Sequence, residues 1–124
     1  MTQPLALVFY ERLLPGSQLV NRLQDLHYRV QTVAEAGALA TAAEQHLPML
    51  ALVDLQASRG DALAAIAQTR SAPATSHLPI IAFTGDSRPA ALAAGQEAGA
   101  SLVAQDQALL NHLPELLEQV LRVE

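Results

Sequence analysis

Five short apolar runs, separated by longer stretches with helical spacing, leave this chain few ways to fold. The runs are Leu5 to Phe9, Val30 to Val33, Met49 to Val53, Ile80 to Phe83 and Leu102 to Ala104. Strands that alternate with helices build βαβ units, and their right-handed crossovers place helices on both faces of a parallel sheet. The first, third and fourth runs are nearly continuous in apolar residues, as strands covered on both faces are. The second and fifth are shorter and more polar, which puts them nearer the sheet edges. The expected architecture is α/β, a (βα)5 three-layer sandwich in which residues 1–124 form a single domain.

The segments between the runs support helices. Leu19, Leu23 and Leu26 recur at spacings of four and three, on one face. Residues Ala36 to His46 and Gly60 to Arg70 are dense in alanine, a strong helix former. A fourth helix is expected to start at Asp86 or Ser87, with Pro89 in its first turn, and to stop near Gly99. In the last segment Leu109, Leu113, Leu116 and Val120 form one stripe, widened by Leu110, Leu117 and Leu121. Pro114 lies inside it, so the helix either kinks there or starts at an Asn111 cap with Pro114 in its first turn.

Composition narrows the function classes. Hydrophobic residues make up 51% and charged residues 15%, too apolar for a disordered chain. The absence of cysteine excludes disulfides, thiolate metal sites and a cysteine nucleophile, and suits a reducing compartment. A net charge of −5, with arginines scattered along the chain, argues against a nucleic-acid surface. Met1-Thr2-Gln3-Pro4 has no basic leader character, and no apolar run approaches the roughly 18 residues of a membrane span. The expectation is a soluble, cytoplasmic domain that binds neither nucleic acid nor membrane.

Chemistry in α/β sheets gathers at the carboxyl ends of the strands. Asp54 closes the Met49 to Val53 run at such a position. It is either a nucleophile that accepts a phosphoryl group, or a polar strand end that accepts loop N–H bonds. Thr84 closes the next run, either to bond a phosphoryl oxygen or to cap the turn into Gly85-Asp86. His27, His46, His77 and His112 lack metal-ligand spacing, and no metal site is expected. Neither a G-x-G-x-x-G, a P-loop nor a G-x-S-x-G motif occurs.

Taken in order, Leu5 to Glu11, Pro48 to Asp54, Asp61, Pro79 to Thr84 and Ala98-Gly99-Ala100 resemble the receiver domain of two-component response regulators, over essentially the whole chain. The resemblance implies a CheY-like, flavodoxin-like sandwich with a five-stranded parallel sheet in the order 2-1-3-4-5. It implies that Asp54 holds the phosphoacceptor position and Thr84 the switch position. It also exposes departures. The family ends its first strand in acids that hold Mg²⁺; here Phe9 and Tyr10 stand there, with Glu11 one residue on and facing the other way. The family's lysine after strand five falls at Gln105, next to Asp106, in a chain without any lysine. All aromatics (Phe9, Tyr10, Tyr28, Phe83) precede residue 84, so the switch aromatic on strand five is missing. Losing metal and lysine removes most of the electrostatic stabilisation of phosphoryl transfer. A buried Asp54 carboxylate then needs other partners, and Tyr10 is a candidate donor unless strand alternation turns it into the core.

The expected function is that of a degenerate receiver in a phosphorelay, a pseudo-receiver. It is expected to be non-enzymatic, to need no cofactor and to act by phosphorylation-independent binding of protein partners. Those partners are a histidine kinase, an output domain or another signalling protein. One alternative is a working receiver, phosphorylated on Asp54 by a histidine kinase with Mg²⁺. A second is a small-molecule-binding flavodoxin-like domain, with a deep apolar pocket beside Phe9, Tyr10 and Asp54. The resemblance further implies a homodimer through the fourth helix, fifth strand and fifth helix. Small residues from Ala90 to Gly95 suggest a loosely anchored fourth helix there. The surplus of apolar residues in the last helix leaves one or two exposed for pairing, with Leu110 and Leu117 as the test positions.

Overall fold

The computed structural model describes residues 4–56, 61–86 and 88–121. Gly60 and Ser87, expected as helix starts, lie outside the described residues. The elements run β1 (Leu5–Phe9), α1 (Leu13–Asp25), β2 (Arg29–Val33), a 3-10 turn (Ala36–Ala38) leading into α2 (Leu39–His46), β3 (Leu50–Asp54), α3 (Ala62–Ser71), β4 (Ile80–Thr84), α4 (Pro89–Ala98), β5 (Leu102–Gln105), α5 (Asp106–Asn111) and α6 (Leu113–Leu121). The strands are parallel in the order β2-β1-β3-β4-β5, with the two more polar runs at the edges.

Side chains of a strand alternate between faces, so each central strand feeds two cores. Leu7, Phe9, Ala51, Val53, Ile80 and Ala82 pack against Leu39 and Ala43 of α2 and Ala65 and Ile66 of α3. Ala6, Val8, Leu50, Leu52, Ile81 and Phe83 pack against Leu19 and Leu23 of α1 and the leucines of α5 and α6. Every residue of β3 and β4 is buried, which is why those runs carry no polar alternation.

The last segment is two helices rather than one. The His112 amide still donates to the Ala108 carbonyl, while the His112 carbonyl accepts from Leu116 and opens α6. Pro114 falls in the first turn of α6, where its missing N–H would have had no helical partner anyway. The second helix thus starts at Leu113, two residues beyond the expected Asn111 cap, and a short helix of its own precedes it. All seven apolar residues of this segment join the α1-side core, with Leu109, Leu110, Leu113 and Leu117 buried and Leu116, Val120 and Leu121 partly so. This corrects the expectation of spare leucines: Leu110 is 5% and Leu117 4% exposed. In α4 Gly95 is buried against Val103 of β5 and Leu55, while the other residues of the helix are partly buried or exposed.

Gly16 is the position at which side-chain size matters most in α1. A Cβ there would lie 2.0 Å from Cδ2 of Tyr10, whose ring covers the glycine. Replacing glycine by alanine inside a helix ordinarily gains about 1 kcal/mol. Here the overlap decides the sign, and Gly16→Ala is expected to lower stability by about 1–3 kcal/mol. Urea unfolding checks this; a gain in stability would mean that Tyr10 swings clear at no cost.

Candidate functional site

The carboxyl edge of the sheet is organised around Asp54, which is fully buried at the end of β3. Parallel pairing sets Phe9 opposite Val53, so Phe9 is an inward core residue of β1, and the chain just beyond it passes Asp54. That segment turns sharply into α1, and its backbone meets the carboxylate. Glu11 N and Arg12 N each donate to Oδ2 at 3.3 Å, and Gln56 N donates to Oδ1 at 2.9 Å.

Arg12 supplies the charge. It is the residue before α1, with an extended backbone at φ −77° and ψ 109°, and its side chain does not cap the helix. The guanidinium instead reaches across the edge. Nε donates to Asp54 Oδ1 at 3.1 Å and Oδ2 at 3.2 Å, and Nη2 donates to Oδ1 at 2.8 Å. On its other side Nη1 donates to Asp106 Oδ2 at 2.6 Å and Nη2 to Asp106 Oδ1 at 3.0 Å. Its Cζ stands 5.9 Å from the centre of the Phe83 ring, within cation–π range. Partial burial disfavours the charge on Arg12, but its hydrogen bonds to Asp106 and Asp54 outweigh it and raise its pKa above the ordinary value. One arginine thus ties the β1–α1 turn, the end of β3 and the start of α5 together. Among the described residues, no buried side-chain polar atom is left without a hydrogen bond.

The neighbouring donors are also engaged. Thr84 is buried, and its Oγ1 accepts from Asp86 N at 3.0 Å, the turn-capping arrangement. Gln56 spans to the next loop, its Oε1 accepting from Gly85 N at 2.5 Å. Beyond it the partly buried Asp86 is held by Arg88, whose hydrogen bonds bring its pKa down to about 2. Asp61 caps α3, accepting from Ala64 N at 3.1 Å.

Several expectations change here. Tyr10 does not supply Asp54: its ring turns to Gly16 and the α1-side core, as strand alternation allowed. Gln105 ends β5 with an exposed side chain, and the next residue, Asp106, is the one that enters the edge. Arg12 was the residue that sequence reasoning missed. The signal available was indirect: a buried carboxylate in a chain without lysine must take its counter-charge from an arginine, and Arg12 is the first beyond β1.

Mg²⁺ needs several oxygens converging in octahedral geometry. With Asp54 and Asp106 both committed to Arg12, the edge does not fit that ion. Among the described residues no three His, Cys, Asp or Glu side chains gather as a metal-holding group. The cavity that borders Thr84 is about 140 Å³, lined by Leu55, Gln56, Leu63, Asp86, Ala91 and Ala94. Among the described residues, no helix is long and apolar enough to cross a membrane.

No family model matches the sequence, and no curated protein matches it closely enough to identify a relative. Solved structures do match. One, described as a response regulator from Chloroflexus aurantiacus, superposes with a TM-score of 0.88 at 22% identity, covering 97% of this chain and 98% of that one. The receiver domain of the sensor histidine kinase PA1611 from Pseudomonas aeruginosa, with magnesium coordinated in its active-site cleft, gives 0.87 at 20% identity, covering 97% and 98%. The chemotaxis protein CheY4 of Vibrio cholerae gives 0.84 at 18% identity, covering 96% and 99%. Five parallel strands in this order, with helices on both faces, give the chain the CheY-like fold of response-regulator receiver domains.

Proposed function

We propose that this chain is a receiver-like signalling module that binds protein partners without being phosphorylated. The observation that carries the reading is the Arg12 guanidinium lodged between Asp54 and Asp106. An aspartyl nucleophile needs a free carboxylate oxygen facing the phosphorus, and a cation to neutralise the transferred group. Here both oxygens of Asp54 accept hydrogen bonds from Arg12 and from loop amides. Amides that could hold phosphoryl oxygens are occupied as well, that of Gly85 by Gln56 and that of Asp86 by Thr84. The resident guanidinium does in a fixed way what a metal and a lysine do conditionally in a switching receiver.

The module would act as a non-enzymatic docking surface for a kinase, an output domain or another signalling protein. The working-receiver alternative needs Arg12 to leave, since Mg²⁺ and a phosphoryl group would otherwise compete with it for the same oxygens. Adding Mg²⁺ with beryllofluoride, or acetyl phosphate, should therefore leave the amide NMR spectrum of the wild type unchanged. Saturable shifts centred on Asp54 and Thr84 would overturn the proposal in favour of phosphorylation.

A further inference from the structure

The edge has the composition of a receptor for one particular cation shape. A guanidinium is a flat fork with donors along each of its edges, and carboxylates match those edges two bonds at a time. Arg12 presents its Nε–Nη2 edge to Asp54 and its Nη1–Nη2 edge to Asp106, with every contact between 2.6 and 3.2 Å. The ring of Phe83 lies beneath the Cζ atom. Asp54 is held in place by three backbone amides that do not belong to the guanidinium. Asp106 stands at the first residue of α5, against the other edge of the guanidinium. Asp54 is therefore oriented without the guanidinium, which bridges it to Asp106.

We infer that Asp54, Asp106 and Phe83 form a guanidinium-binding pocket, filled in cis by Arg12. Its ligand class is a planar guanidinium: a compact ammonium, with three donors, cannot pair two bonds at a time with both carboxylates, and Mg²⁺, which keeps several of its waters, gains nothing from the Phe83 ring face. The pocket presupposes the phosphorylation-independent reading, yet that reading survives if the pocket proves unselective.

Emptying the pocket tests it. In Arg12→Ala, methylguanidinium chloride at millimolar concentration should raise the melting temperature saturably and shift the Gln56 and Asp106 amides. Methylammonium and Mg²⁺ at matched ionic strength should bind about tenfold more weakly or not at all. Adding Asp54→Asn to that variant should abolish the methylguanidinium response. Equal responses to all three cations, or no response from a folded variant, would overturn the pocket. Should Arg12→Ala fail to fold, Arg12→Gln takes its place. The wild type gives an independent reading: its Arg12 Nε–H should exchange slowly and stay unmoved by methylguanidinium. A rapidly exchanging Nε–H would also sink the inference.

Discussion

Arg12→Ala is expected to lower the unfolding free energy by about 2–4 kcal/mol, because it strands the Asp54 carboxylate in the interior. Breaking a buried pair by removing one partner usually costs about 3–5 kcal/mol, most of it the penalty on the charge left behind. Two features moderate that figure. Asp54 keeps its bonds from Glu11 N, residue 12 N and Gln56 N, and Asp106 is open enough to recover water. Asp54→Asn should cost less, about 1–3 kcal/mol, since the amide retains an acceptor for Gln56 while losing its charge-assisted bonds. The two substitutions touch the same bonds, so the double variant should cost clearly less than their sum. Urea denaturation of the four proteins closes the cycle. A neutral Arg12→Ala, or strict additivity, would show that the guanidinium is not holding the edge together.

Leu117→Glu is expected to be at least as damaging, for a different reason. Leu117 is 4% exposed and belongs to the α1-side core, so the change removes a core side chain and forces a carboxylate into its place. Loss of packing together with burial of an unpaired polar group costs about 3–5 kcal/mol. Leu110→Glu should behave alike, whereas Leu13→Glu, at a side chain 73% exposed, should stay within about 0.5 kcal/mol of the wild type. Circular dichroism melts separate these outcomes. If Leu117→Glu instead stays fully folded and merely changes sedimentation, α6 presents that leucine to a partner and the burial described above is incomplete.

The strands were legible because a strand covered on both faces has no reason to carry polar side chains, and β1, β3 and β4 carry almost none. The edge strands were legible for the complementary reason. The break at His112 was only half readable: Pro114 announces a helix start, but nothing local says that a helix has just ended. In the candidate site, Asp54 and Thr84 could be located because strand ends are fixed by the runs before them. Arg12 could not, since its partners lie 42 and 94 residues away and an ion pair leaves no periodicity in a sequence. The same applies to Leu110 and Leu117, where counting apolar residues overlooked how much of the sheet and α1 they must cover.

A cation carried on the backbone has no dissociation equilibrium with the medium. Its effective concentration at Asp54 is set by a turn of a few residues and does not vary with ionic composition. A free ion occupies such a site only in proportion to its chemical potential outside, so a metal-dependent edge reports on the surrounding solution. On the function proposed here, an edge closed by Arg12 does not report on the surrounding solution, and what this domain conveys would be set by how much of it is made and where it is placed.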